Sequence, residues 1–168
     1  MKDEIINRVA NSKLVTIDLE DYYPKGQRVL FDIKDWLYEG FVLREKDFRA
    51  QVAAFDWSQY QNHYVALTCS SDAIIPGWAY MLLSIQLEPY VKKVIVGDLE
   101  ILETSIYQDI INNLDISDFK DQPIIIKGCS NKPVPQNAYI MLSNKLQPYA
   151  KSIMYGEACS SVPLYKKK

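Results

Sequence analysis

Short apolar runs alternate along this chain with segments in which apolar residues recur at helical spacing. Five runs rich in β-branched residues predict strands, at 14–17, 64–68, 94–96, 123–127 and 152–155. Apolar residues three or four positions apart predict helices at 44–55, 78–87, 99–114 and 135–146. Continuous apolar strands that alternate with helices are typical of parallel sheets covered on both faces. The pattern therefore predicts an α/β fold.

Weaker patterns predict three further elements. Apolar residues on one face predict a short helix at 4–10, and residues 29–31 predict a brief extended segment. Asp32 is a suitable N-cap for a helix through Tyr38, and Gly40 is a suitable C-terminal stop.

The second half of the chain resembles the first half at a shift of 59 residues. Identical residues at this shift include a proline (Pro76 and Pro135) and an Ala-Tyr pair (from Ala79 and Ala138). They also include a Leu-Ser pair (from Leu83 and Leu142) and a Pro-Tyr pair (from Pro89 and Pro148). Self-similarity at a fixed period indicates a repeated structural unit. We expect two copies, at about 41–98 and 99–157, in one domain spanning 1–168. The predicted architecture is a three-layer fold with a mainly parallel sheet of about five strands, and the strand at 14–17 leads into the first copy.

The three cysteines each follow a predicted strand, and each is followed by serine. Cys69 follows the strand at 64–68, Cys129 the strand at 123–127, and Cys159 the strand at 152–155. Open α/β sheets bind ligands at the carboxyl edge, where the residues after parallel strands meet. Asp98 and Glu157 are expected at the same edge. Asp18 and Glu20 are expected there too, but they lack the D-x-D spacing and the matching lysine of aspartate-dependent phosphatases.

The first functional hypothesis is a metal- or iron–sulfur-handling accessory protein. Three thiolates from Cys69, Cys129 and Cys159 suit zinc or a four-iron cluster, with Asp98 or Glu157 as the fourth protein ligand. The chain has no C-x-x-C pair, which is the stronger zinc signature. The single histidine, His63, precedes its strand, so we expect it at the opposite end of the sheet and not among the ligands.

Two alternatives stay open. The first is a thiol-dependent enzyme or carrier, because a cysteine near a helix N-terminus tends toward the thiolate form. The second is a non-catalytic interaction module in which the cysteines are packed structural residues.

Composition limits the partners and the compartment. The net charge of −2 argues against nucleic-acid binding. No apolar run approaches the roughly 20 residues of a membrane span, and the charged N-terminus leads into no signal-peptide core. We expect a cytoplasmic protein with reduced thiols, and therefore no disulfide framework. Its expected partners are other proteins or a second copy, the latter through an apolar patch of Trp36, Leu37, Tyr38 and Phe41.

Three segments resemble a family of uncharacterised bacterial proteins of unknown function. They are Asn7–Ser12, Asp18–Pro24 and Gly156–Tyr165, and the resemblance extends over essentially the whole chain. It implies a small cytosolic bacterial protein and brings no established activity or catalytic residues. A loose association with iron–sulfur assembly contexts favours metal or cluster handling.

Overall fold

The computed structural model of the protein describes residues 14–128, 131–157 and 159–168. The chain divides into two compact units: a central unit, Pro24–Ile106, and a terminal unit, Met1–Tyr23 with Tyr107–Lys168. Helix α3 (Leu99–Asn113) contributes its first half to the central unit and its second half to the terminal unit. The prediction of a single domain stays a prediction, and the helix predicted at 4–10 lies outside the described residues.

The central unit is built on a three-stranded parallel sheet in the order β2–β3–β4. Its elements in chain order are β2 (Arg28–Asp32), α1 (Glu45–Ala54), β3 (Tyr64–Thr68), α2 (Gly77–Leu87) and β4 (Lys93–Val96). The alternate residues Phe31, Val65 and Leu67 pack with α1 and α2 in one core. Arg28 and Lys93, on the opposite face, bind residues of α3. Burial of apolar side chains against the sheet is the main stabilising term.

The terminal unit is built on a four-stranded sheet in the order β1–β5–β6–β7. Its further elements are β1 (Val15–Ile17), β5 (Pro123–Ile126), α4 (Gln136–Leu146), β6 (Ser152–Glu157) and β7 (Ser160–Lys166). The first three strands are parallel, and β7 returns antiparallel to β6. Ile17, Ile124 and Ile126 pack with Tyr107 of α3 and Leu142 of α4 in the core of this unit.

The α/β class is confirmed, but the single sheet of about five strands is wrong. The described residues contain seven strands in two sheets. The weak segment at 29–31 is a full strand, β2, which pairs with β3. The strand β1 pairs with β5 in the other sheet. The additional strand β7 has a proline in its middle, which weakens its sequence signal.

The helix predicted at 32–38 is also wrong. Phe31 and Ile33 are buried on either side of exposed Asp32, which is a strand-type alternation. Only one 3-10 turn, Lys34–Trp36, follows, and the backbone N–H of Lys34 donates to Asp32 Oδ1 at 3.0 Å. The four longer helices lie where the helical spacing predicts them. Among the described residues, no helix has the length and apolarity needed to cross a membrane.

Residues 59 positions apart in the two units have closely similar local geometry. Helices α2 and α4 are both 11 residues long, and their first residues are separated by this interval. Asn62 and Asp121 both adopt positive φ angles, of 62° and 54°. Their backbone N–H groups donate to the carbonyl oxygens of Tyr90 and Tyr149, each at 2.8 Å.

Candidate functional site

The carboxyl edge of the four-stranded sheet carries an ion pair between Asp18 and Lys127. These residues directly follow β1 and β5, which are paired so that Ile17 lies opposite Ile126. Lys127 Nζ lies 2.8 Å from Asp18 Oδ2, and the Asp18 side chain is only 14% exposed. The backbone N–H of Glu20 donates to Asp18 Oδ1 at 2.9 Å. The parallel pairing of β1 and β5 therefore places the Asp18 carboxylate beside the Lys127 ammonium. The sequence around Asp18 did not indicate a lysine partner.

The environment of this pair keeps both groups charged. Partial burial tends to raise the pKa of Asp18, but the hydrogen bonds from Lys127 and Glu20, with the charge of Lys127, hold that pKa below its ordinary 3.8. The hydrogen bond and charge of Asp18 raise the pKa of Lys127 above its ordinary 10.5, and the charges of Glu157 and Glu20 add to this shift. The pair is therefore ionised throughout the neutral range.

The Glu20 carboxylate binds the backbone shortly after Cys129 in the chain. Its Oε1 accepts the backbone N–H of Asn131 and, at 2.7 Å, that of Lys132. A carboxylate that accepts two backbone N–H groups restrains a loop more strongly than a neutral acceptor does. Glu20 thus has a positioning role at this edge.

Tyr155 of β6 binds the backbone directly before Cys129. Its hydroxyl donates to the carbonyl oxygen of Gly128 at 3.3 Å, and its ring meets Tyr139 edge-on at 5.8 Å between centroids. A Cβ atom on residue 128 would lie 2.8 Å from Tyr155 Cζ, so glycine permits this approach. The loop is therefore anchored at Gly128 and again at Asn131. Cys129 and Ser130 lie outside the described residues.

Glu157 and Cys159 lie at the end of β6 and in the turn that joins it to β7. Glu157 pairs with Ser160, and Gly156 has a φ of 121°, a conformation that favours glycine. A Cβ atom on Gly156 would lie 2.5 Å from the carbonyl oxygen of Ser160. Cys159 is exposed. Since β5 and β6 are neighbours, this turn shares an edge of the sheet with Lys127 and Gly128, which directly follow β5.

Cys69 belongs to the other sheet, at the carboxyl end of β3. Its Sγ lies 3.4 Å from Ser71 Oγ, and the half-buried side chain packs against the core of the central unit. The backbone N–H of Ser70 donates to Asp32 Oδ1 at 3.1 Å. Burial tends to raise the pKa of Asp32, but the hydrogen bonds from Ser70 and Lys34 hold it below the ordinary value. Asp32 therefore restrains the Cys69 loop, a role that the sequence did not indicate.

Asp98 and His63 both lie in the central unit, next to the ends of its helices and strands. Asp98 Oδ1 accepts the backbone N–H of Ile101 at 2.8 Å, which is an N-cap interaction at the start of α3. His63 directly precedes β3 and so lies at the amino end of the sheet, as expected. The predicted ligands Cys69 and Asp98 thus come after strands of one sheet, whereas Cys129 and Cys159 come after strands of the other sheet, in which Glu157 ends β6. These five residues were grouped because one sheet with one carboxyl edge was expected. The two sheets remove that reason.

The predicted apolar patch is smaller than expected. Leu37 is buried, and Trp36 is half-buried because it packs against the core of the central unit. Tyr38 and Phe41 are exposed, as is the nearby Ile74. A homodimer through this patch stays a prediction.

No group of three or more histidine, cysteine or acidic side chains that could hold a metal ion occurs among residues 14–128, 131–157 and 159–168. Cys129 lies outside these ranges. The model of a family described as a protein of unknown function (DUF2480) matches residues 3–167, so the chain belongs to this family. The expected membership of an uncharacterised family is thereby confirmed. No curated protein and no solved structure matches the chain.

Proposed function

We propose that this chain is a metal- or iron–sulfur-handling accessory protein whose site lies at the carboxyl edge of the four-stranded sheet. One observation carries the proposal. The adjacent strands β5 and β6 lead into the Cys129 loop and the Glu157–Cys159 turn, respectively. In this proposal the thiols of Cys129 and Cys159 meet the Glu157 carboxylate at this edge, and such a donor set suits zinc or iron.

The surrounding contacts favour Cys129, Cys159 and Glu157 as the ligands. Asp18 is engaged by Lys127, and Glu20 by the backbone of the Cys129 loop. A cation at Asp18 would compete with Lys127, and one at Glu20 would compete with the backbone N–H groups that its Oε1 accepts. Three protein ligands leave a fourth position for solvent or for a group on a partner, as in zinc sites that keep an open position. Such an arrangement suits a metal that the protein receives and passes on.

Cobalt provides a direct test of this ligand set. We expect Co²⁺ added to the reduced protein without oxygen to produce a thiolate-to-cobalt charge-transfer band, because thiolate ligands bind this ion in tetrahedral sites. The band should weaken in Glu157→Gln and persist in Asp98→Asn, the matched carboxylate in the central unit. A cobalt spectrum without a thiolate band would contradict the proposal.

A thiol-dependent reaction at Cys129 is the second candidate. It is favoured by Lys127 and Lys132, which lie close to Cys129 in the sequence on either side. Nearby positive charge lowers the pKa of a thiol and so increases its reactivity. Alkylation rates measured for each cysteine between pH 5 and 9 would then show Cys129 reacting at a lower pH than Cys69. Equal profiles for the two thiols would contradict this candidate.

We also infer that the two units contain two copies of one structural unit, at about 41–98 and 99–157. The 59-residue interval supports this inference, because it relates α2 to α4 and the N–H donors Asn62 and Asp121. Leu83 and Leu142 are equivalent under it and are both fully buried. We expect Leu83→Ala and Leu142→Ala each to reduce the free energy of unfolding by about 2–5 kcal/mol. Urea denaturation measures both losses, and a large loss for only one variant would contradict the equivalence.

A further inference from the structure

The outer edge of β4 in the central unit combines an edge strand with an apolar groove. In the described part of the chain, β4 pairs with β3 on one side and with no strand on the other. An edge strand offers backbone N–H and C=O groups to another strand. The adjoining groove, of about 410 Å³, lies between β4 and α2. Its apolar lining includes Leu67, Tyr80, Met81, Ile85, Val94 and Val96.

The terminal unit has a strand on the equivalent edge. There β7 pairs antiparallel with β6, with Tyr165 opposite Ile153 and Val162 opposite Tyr155. Tyr165 also packs against the core of that unit. Ile153 and Tyr155 lie 59 residues after Val94 and Val96, the interval that also separates α4 from α2. Under the repeat inferred above, the open edge of β4 corresponds to the edge of β6 that β7 covers, and the groove corresponds to the place where Tyr165 packs.

Side-chain exposure and strand composition agree with a binding role for this edge. Met81 is 67% exposed, Ile85 66% and Val96 54%, which leaves a continuous apolar surface beside the strand. Proline and lysine commonly protect edge strands from pairing. The strand β7 contains Pro163 and runs into a lysine-rich end, whereas β4 contains no proline, and its one lysine, Lys93, donates to the carbonyl oxygen of Ser105. The β4 edge thus lacks the proline that interrupts β7.

We propose that the β4 edge binds an extended segment of a partner protein by antiparallel strand addition. The segment carries an aromatic residue opposite Val94 and an aliphatic residue opposite Val96, as Tyr165 and Val162 are carried by β7. Main-chain hydrogen bonds supply affinity in this mode, and the groove selects the side chains. The β7 strand of a second copy is already paired with its own β6 and is therefore not the occupant, which is in this proposal a different polypeptide. This inference rests on the repeat inferred under the proposed function and is independent of the metal site.

A labelled peptide with the sequence of residues 160–168 provides the probe, and fluorescence anisotropy measures its binding to the full-length protein. We expect saturable binding that Met81→Lys and Val96→Lys each weaken by about tenfold or more, because a lysine ammonium must then be desolvated in an apolar groove. The matched control is Ile140→Lys, since Ile140 is equivalent to Met81 on α4 and is 58% exposed. This control should bind the peptide like the wild type. Circular dichroism verifies that all three variants are folded.

Two further measurements sharpen the test. A peptide in which alanine replaces Tyr165 should bind more weakly, and amide exchange of Val94 and Val96 should slow when the original peptide is bound. Absence of binding at millimolar peptide, or equal weakening by Ile140→Lys, would overturn the proposal. Sedimentation that shows a dimer of the wild type but a monomer of Met81→Lys would also overturn it, since the occupant would then be a second copy.

Discussion

The buried ion pair between Arg28 and Glu103 allows a quantitative prediction about the central unit. The Arg28 side chain, on β2, is 11% exposed, and that of Glu103, on α3, is 8% exposed. Removing one partner of a buried pair typically costs about 3–5 kcal/mol, because the other charge stays in a poorly solvated site. After Glu103→Gln, Arg28 still donates to the carbonyl oxygens of Pro24 and Gly26, at 2.8 and 2.7 Å. We therefore expect a loss near the lower limit, about 3 kcal/mol.

Arg28→Met is expected to cost more than Glu103→Gln, because it removes the cation and leaves a buried carboxylate. The control is Glu45→Gln, which breaks the surface pair of Glu45 and Arg49 on α1. Those side chains are 63% and 54% exposed, and such helical pairs contribute only about 0.3–0.5 kcal/mol. Urea denaturation with a two-state fit gives all three free energies. A loss for Glu103→Gln no greater than that for Glu45→Gln would refute the reasoning.

Two further predictions concern the carboxyl edge of the four-stranded sheet. Because the pKa of Asp18 is lowered on folding, its contacts stabilise the protein above pH 3.8 and are lost as the pH falls through the lowered folded-state value. In urea denaturation, Asp18→Asn should therefore lose a constant amount of stability between pH 5 and 7 and progressively less below about pH 4, and a difference that does not change with pH would contradict this. Gly128→Ala should displace the Tyr155 hydroxyl from its hydrogen bond at a cost of about 0.5–1.5 kcal/mol. Mass spectrometry should show faster alkylation of Cys129 and an unchanged rate at Cys69, and unchanged rates at both would contradict the anchoring role of Tyr155.

Local patterns predict the main elements of this fold because the strongest apolar runs are also the buried strands. Residues 64–68 and 123–126 are almost entirely apolar, and both are central in their sheets. Edge strands give weaker patterns because one side of each is open. The strand β2 contains exposed Leu30 and Asp32, and β7 contains Pro163.

The pairing of strands across long sequence separations explains why the candidate site was predicted only in part. Residues such as Glu157 can be assigned to a sheet edge from strand ends alone. The contact between Asp18 and Lys127 depends on β1 pairing with β5, which no local pattern encodes. A lysine directly after the run Ile124–Ile126 was nevertheless a visible signal, because a residue at that position lies at the carboxyl edge.

The metal content of four proteins tests the central proposal most directly. Wild type, Cys69→Ser, Cys129→Ser and Cys159→Ser are purified without oxygen, reconstituted with zinc or with iron and sulfide, and analysed for metal per chain. We predict that the wild type and Cys69→Ser bind metal, and that Cys129→Ser and Cys159→Ser bind much less. A wild type without zinc or iron, both as purified and after reconstitution, would contradict the account. Equal loss in Cys69→Ser would contradict the assignment to the edge of the four-stranded sheet.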